Sequence, residues 1–262
     1  MLINREIKEK LDDIFYVLKL KNKSSVLSLD KEVKIEQILS YLEIVHAEIR
    51  RTSKKKKLVL IDSGAGNCYL SYLIYYFYQK IDQRNIEIHC VDYNKKLMDN
   101  NRALAEKMGF TQMYFYAADI NDFTIDKQVD IVYSLHACDT ATDKTMYLGV
   151  RSNAKIILSV ACCQHSLSLK SSALKSVIRY KSFRDKTVMM IADSLRAMLL
   201  EKTGYKVDIF DFVSSRYTEK NTMVRAIKKG FRKTINLDEE YEKVSAEFRI
   251  KPYLEELLAD AI

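Results

Sequence analysis

The sequence spends one proline, six glycines and five cysteines on 262 residues. Many-stranded sandwiches and barrels turn every few residues and need far more glycine and proline, so the composition argues against them. The cysteines, at 68, 90, 138, 162 and 163, are odd in number and show neither a C-x-x-C pair nor a Cys/His zinc spacing. That argues against a disulfide framework or a zinc ribbon, and no metal is expected. Long apolar runs are also missing. The most apolar stretch, Tyr69 to Tyr78, is short, rich in tyrosine and interrupted by Ser71, and the opening Met-Leu-Ile-Asn-Arg-Glu lacks the apolar centre of a signal peptide. The expectation is a cytoplasmic protein with no membrane span.

What is present is a chain with 48% apolar and 30% charged residues, which fits a soluble globular protein. Its length suits one large α/β unit carrying an appendage. Residues 1 to about 51 repeat apolar groups at helical spacing, as in Ile7, Leu11, Ile14, Phe15 and Leu18, then Ile35, Ile38, Leu39, Leu42, Val45 and Ile49. A basic run, Lys54 to Lys57, reads as a linker. Short β-rich runs then alternate with helical ones. Leu58–Asp62, Ile86–Asp92, Met113–Ala117, Val129–Leu135 and Lys155–Cys162 read as strands, with helices over roughly 69–81, 95–108, 141–149 and 186–203. Alternation of this kind builds a parallel sheet covered on both faces. The last two β runs, Lys206–Val213 and Thr222–Lys229, are separated by too little chain for a crossover helix and must pair antiparallel. The expected fold is an α/β, doubly wound sheet, mostly parallel with a C-terminal antiparallel hairpin, an arrangement that resembles the class I methyltransferase fold. The expected boundaries are 1–57 for an N-terminal helical segment and linker, 58–234 for the cofactor-binding domain, and 235–262 for an acidic C-terminal helix.

Three strand ends carry the cofactor argument. The first runs into Asp62-Ser-Gly-Ala-Gly66 before a helix, where Gly64 and Gly66 permit a tight turn and a close ligand. Cys68 stands near the place of the third glycine of the dinucleotide fingerprint, which counts against a pyrophosphate. The second strand ends at Asp92, whose carboxylate can accept both ribose hydroxyls, although Asp92 or Asn94 can equally cap the next helix. The third ends at Asp119, placed to accept an adenine amino group. The series favours an adenosine ligand over NAD, and specifically S-adenosylmethionine. The fourth and fifth strands lead into Leu135-His-Ala-Cys-Asp-Thr-Ala-Thr-Asp143 and Cys162-Cys-Gln-His165, which hold two of the four histidines. The thiols there read as small buried hydrophobes. His165 reads as a base or substrate contact and His89 as a core residue, while His46 has no evident partner.

These motifs, with the late Tyr217-Thr-Glu-Lys-Asn221, resemble a Rossmann-fold methyltransferase family over roughly residues 58 to 230. The family includes eukaryotic tRNA 2′-O-methyltransferases and related methyltransferase-like proteins. The resemblance implies that Asp62, Gly64, Gly66, Asp92, Asp119 and Leu135 bind S-adenosylmethionine. It also implies that the His-Ala-Cys-Asp and Cys-Cys-Gln-His segments line the methyl-transfer site, with His165, His136 and Asp139 as catalytic candidates and Cys163 and Gln164 on the substrate side.

Methyl transfer from a sulfonium is an in-line displacement, so the acceptor must be held near the methyl carbon and a hydroxyl must lose its proton. His165 or His136 is the candidate base, with Asp139 or Asp143 to orient an imidazole. An exocyclic amine would need the Asn/Asp-Pro-Pro-aromatic turn after the fourth strand, and no proline precedes position 252. Pyrimidine C5 methylation needs a thiolate, for which Cys138, Cys162 and Cys163 stand ready, but their neighbours do not match the RNA cytosine-C5 pattern.

The net charge of +8 is unevenly spread: +5 over 1–57, −2 over 58–164, +10 over 165–234 and −5 over 235–262. Just past the expected site, Lys170, Lys175, Arg179, Lys181, Arg184 and Lys186 alternate with Tyr180 and Phe183. Phosphates attract such a cluster and exposed bases stack on its rings, although a solvated basic helix has the same composition. The expected partner is RNA, with a tRNA ribose hydroxyl favoured. A protein or small-molecule acceptor, or an RNA-binding module without turnover, are the alternatives.

Overall fold

A computed structural model of the chain describes residues 3–22, 28–172, 174–219, 221–230 and 236–259. The expected boundary at 234/235 and Lys220 of the late motif lie outside the described residues. Among the described residues seven strands form a sheet in the order β3 (Met113–Ala117), β2 (Ile86–Asp92), β1 (Leu58–Ser63), β4 (Ile131–Leu135), β5 (Ile156–Val160), β7 (Thr222–Lys228) and β6 (Tyr205–Asp211), and the chain divides into two compact units.

The first unit comprises Met1–Asp119 with Asp211–Asn221. It opens with the helices α1 (Arg5–Lys10), α2 (Asp12–Val17) and α3 (Leu29–Ile49). The side chain of Asn4 caps α1 by accepting from the Ile7 N–H. β1 (Leu58–Ser63) and β2 (Ile86–Asp92) are buried along their whole length, as parallel strands covered on both faces require, and pair in register Leu58↔Ile86. β3 (Met113–Ala117) pairs parallel to β2 and alternates buried with exposed residues, the pattern of an edge strand wet on one side. Between β1 and β2 lies α4 (Tyr69–Tyr76), which widens into a π turn over Phe77–Ile81; between β2 and β3 lies α5 (Lys95–Lys107). Lys57 is more than linker, because its ammonium lies 2.5 Å from the buried Glu87 carboxylate. His46 also has partners: it stacks on Tyr78, with Nδ1 3.3 Å from the hydroxyl.

The second unit comprises Ile120–Phe210 with Thr222–Ile262. It contains β4 (Ile131–Leu135), α6 (Thr140–Arg151), β5 (Ile156–Val160), α7 (Lys175–Ile178), α8 (Lys181–Lys202), β6 (Tyr205–Asp211), β7 (Thr222–Lys228), α9 (Leu237–Phe248) and α10 (Tyr253–Ala259). The last strands are antiparallel as expected, with β7 running against β5. Gly149 lets α6 sit directly on β5, since a Cβ there would come within 2.5 Å of the Ile157 side chain. The acidic C-terminal segment is two helices, and they bury Tyr241, Ile250, Leu254 and Leu258 in one core with Leu195, Leu199 and Val224. α8 starts five residues before the expected helix. Its first turns are exposed, so no apolar periodicity marks them, and an (i, i+4) pair between Lys181 and Asp185 supports them instead.

Candidate functional site

In the first unit the turn after β1 is built around Asp92. One carboxylate oxygen accepts from the Gly66 N–H and the other from the Asn94 N–H, both at 2.9 Å. Asn94 caps α5, its side chain accepting from the Leu97 N–H. Gly66 has φ +52, a conformation that costs other residues about 1–2 kcal/mol, and a Cβ added to it would meet nothing within 4 Å. The turn therefore offers an open backbone face. Cys68 follows with φ 54, and no side chain caps the helix it begins.

Asp62 lies beneath this turn, with only 4% of its surface exposed, and accepts from the Ser71 hydroxyl at 2.5 Å. Its partner is thus a side chain of α4. Burial pushes its carboxyl up to about 7, the Ser71 hydrogen bond works against this, and the Asp92 charge adds to it. Burial likewise drives the Cys68 thiol well above its ordinary value, with Cys90 beside it contributing. Asn101 holds the turn from α5, donating to the Gly66 carbonyl at 2.9 Å and to the Cys68 sulfur at 3.2 Å. Asp119 is exposed just beyond β3. The turn backbone is largely engaged within the protein, the Gly64 and Ala65 N–H groups donating to Val91 O and the Gly66 N–H to Asp92, while the Asp92 carboxylate ends β2 and that of Asp119 is accessible beyond β3.

In the second unit Leu135 and His136 are half-buried at the end of β4. The loop that follows bends sharply: His136 has φ +67 and Asp139 has φ +59 with ψ −131. Such conformations concentrate where a loop is held for a task. Two backbone hydrogen bonds tie it to the loop after β5, His136 N–H to Val160 O at 2.9 Å and Asp139 N–H to Cys163 O at 3.2 Å. The sulfurs of Cys138 and Cys162 are joined, against the expectation that the chain lacks disulfides. Parallel neighbours β4 and β5 place their following residues side by side, so cysteines 24 apart in sequence meet. Cys162 and Cys163 are half-buried rather than sealed in the core.

Neither expected carboxylate orients an imidazole. Asp139 accepts from the Ser166 N–H at 3.0 Å, from the Ser166 hydroxyl and from the Gln164 amide at 2.7 Å. Asp143 receives Arg196 in a two-pronged pair, Nε to Oδ1 at 2.9 Å and Nη2 to Oδ2 at 2.7 Å. The same guanidinium donates to the Gln164 carbonyl at 2.8 Å and to Asp193 at 3.0 Å. Burial works to lower the Arg196 pKa, and the carboxylates around it more than offset this, so its charge is fixed. Sequence reasoning missed Arg196, Asp193, Ser166, Ser71 and Asn101. Two of them left a trace. Arg196 interrupts the apolar stripe Val188, Ala192, Leu195, Leu199 of α8, and Asn101 sits between Met98 and Ala105 on the buried face of α5.

His165 is exposed, as are Lys170, Lys175, Arg179, Lys181, Arg184 and Lys186. Tyr180 and Phe183 are half exposed, and the Arg179 guanidinium lies 4.6 Å from the centre of the Tyr180 ring. Asp185 engages Lys181 at 2.6 Å, and that hydrogen bond is the main reason its carboxyl is held below the usual range. The Lys170 N–H donates to Phe248 O at the end of α9. No described helix is long and apolar enough to cross a membrane.

The family profile described as "Methyltransferase domain" matches residues 33–170, more than half of the chain. No curated protein sequence is recognisably similar to it. Among solved structures, the CMeT domain of the citrinin polyketide synthase is 13% identical with a TM-score of 0.51, over 87% of this chain and 58% of that one. Magnesium protoporphyrin IX methyltransferase from Synechocystis PCC 6803, solved with its bound methyl donor, is 11% identical with a TM-score of 0.49 over 87% and 100%. A SAM-dependent methyltransferase from Aquifex aeolicus is 14% identical with a TM-score of 0.48 over 83% and 99%. The chain belongs to this methyltransferase-domain family and is a class I methyltransferase, an enzyme whose methyl donor is S-adenosylmethionine.

Proposed function

We propose that the enzyme methylates RNA, with a tRNA ribose 2′-hydroxyl as the favoured acceptor. The observation that carries this reading is the exposed series Lys170, Lys175, Arg179, Lys181, Arg184 and Lys186, interleaved with the exposed rings of Tyr180 and Phe183. Cations at this spacing neutralise consecutive phosphates, and rings free of the core offer bases a stacking surface.

Asp62, Gly64, Gly66, Asp92 and Asp119 hold the cofactor in this reading, with Leu135 against it, and Asp62 acts through Ser71 and α4 rather than by contact. When bound, S-adenosylmethionine supplies an electrophilic methyl group. The chain must then position a hydroxyl and take its proton. His165, exposed beside the basic series, is the assigned base, and His136 is the alternative. Asp139 is a positioning residue: by gripping Ser166 and Gln164 it fixes the loop on both sides of His165. Cys163, Gln164, Lys170, Arg179, Lys181 and Arg184 form the acceptor side. The absence of a proline turn after β4 favours a hydroxyl over an exocyclic amine.

The test is incubation of the purified protein and labelled methyl donor with total RNA from a strain deleted for its gene, followed by nucleoside mass spectrometry. A 2′-O-methylated nucleoside absent from the untreated RNA is the expected result; label recovered only in protein or small molecules overturns the RNA reading. His165→Ala is expected to lower turnover by about 10²–10⁴-fold with RNA affinity retained, and unchanged turnover removes it from the mechanism.

A further inference from the structure

Three of the five cysteines converge where the loops after β4 and β5 run together. The sulfurs of Cys138, Cys162 and Cys163 all lie within 4.8 Å of one another, and all three residues are half-buried, within reach of solvent ions. The sulfurs of Cys162 and Cys163 are 3.8 Å apart. Two thiolates bound to one tetrahedral ion at about 2.3 Å stand about 3.8 Å apart, so this pair already has the edge length of a metal–thiolate tetrahedron. The convergence does not depend on the bond between Cys138 and Cys162. The backbone ties from His136 N–H to Val160 O and from Asp139 N–H to Cys163 O hold the two loops together without it. The Asp139–Gln164–Arg196 chain braces the Cys163 side from the buried face of α8.

We propose that the reduced trio is a binding site for one thiophilic d¹⁰ cation, with Zn²⁺ as its divalent representative. Soft thiolate sets select such ions over hard ones. The ligands come from segments 24 residues apart, which is why no zinc spacing shows in the sequence. The structure holds the oxidised form, in which Cys138 and Cys162 are joined and Cys163 is a free thiol. To open the site, a dithiol reductant gives two electrons and two protons to the Cys138–Cys162 bond and leaves as its own disulfide. The three thiols then release three protons as the ion takes three sulfur ligands, and a solvent oxygen completes the tetrahedron. Oxidation and metal binding are thus mutually exclusive states of the same sulfurs. This assignment is independent of the methyl acceptor.

The test uses the full chain reduced with a phosphine under argon, desalted and titrated with Zn²⁺ alone by calorimetry, then with Cd²⁺ to read thiolate-to-metal charge-transfer absorption. One ion per chain, proton release seen as a buffer-dependent heat, and a charge-transfer band are expected. Protein reoxidised at Cys138–Cys162 should take up none at the same concentration. Cys163→Ser, which leaves that bond free to form, should weaken binding by at least about tenfold, the loss that removal of even a supporting partner causes. No ion bound by the reduced chain, or equal uptake by reduced and oxidised protein, overturns the proposal. Both of those readouts come from the unaltered sequence and do not depend on a variant folding.

Discussion

In the first unit a hydroxyl meets the buried carboxylate of Asp62; in the second a guanidinium meets that of Asp143. The two side chains are of one type and almost equally sealed, 4% and 1% exposed, and the difference in partner sets what each can do. A neutral donor cannot repay the loss of hydration, so the proton binds more tightly and the Asp62 carboxyl rises to about 7. A two-pronged guanidinium supplies full counter-charge to Asp143, and the carboxylates around Arg196 keep that guanidinium charged. The turn after β1 thus stands on a group that changes charge near neutral pH, and the loops after β4 and β5 stand on a guanidinium that does not.

Breaking the second arrangement should have the largest effect. Arg196→Met leaves Asp143 buried without its counter-charge and should cost about 3–5 kcal/mol in urea unfolding. Adding Asp143→Leu should recover most of that loss. A double variant no better than the single one would show that the guanidinium acts through Gln164 and Asp193 instead. The first arrangement should show itself as a pH slope. The folded carboxyl titrates at about 7 and the unfolded one near the ordinary value of 3.8. The stability it contributes is therefore complete below about pH 4, falls by at most about 1.4 kcal/mol per unit as pH rises, and levels off above about 7. Asp62→Asn should flatten that window, as denaturant midpoints across it would reveal, and an unchanged slope would mean that Asp62 is ionised throughout.

The smallest effect belongs to the exposed series. Asp185→Asn removes the helical pair with Lys181, and because that pair is solvent-exposed the variant's denaturation midpoint should stay close to that of the parent. In the same variant RNA should bind more tightly, with a steeper dependence on salt, because Lys181 and Arg184 lose the carboxylate they share. RNA binding insensitive to both salt and this change would remove the basic face from the acceptor side.

The sequence makes some of this legible because some of it is local. β2 occupies Ile86–Asp92 as its apolar run indicates, and the hairpin follows from the shortness of the chain between β6 and β7. Asp92 and Gly66 were legible as a strand end and a turn glycine, but their hydrogen bond was not, because the two are 26 residues apart. Arg196 belongs to the same class. A charge on a helix reads as solvent-facing, and only the tertiary partner Asp143, 53 residues away, makes its burial affordable. The joined sulfurs of Cys138 and Cys162 depend on strand adjacency, which no count of cysteines encodes. The start of α8 was missed for the opposite reason: its first turns touch no core and leave no pattern to read.

The division of the chain bears on how the protein is made. Neither unit is continuous: the first requires Asp211–Asn221, and the second takes Tyr241, Leu254 and Leu258 from α9 and α10 into its core. During vectorial synthesis the first unit is not complete until residue 221 leaves the ribosome, and the core of the second is not complete until α10 does. From the emergence of β4 until α10 is made, the nascent chain would expose the apolar faces of β4, β5 and then α8, a demand for chaperone cover that a contiguous two-domain protein of equal size would not make.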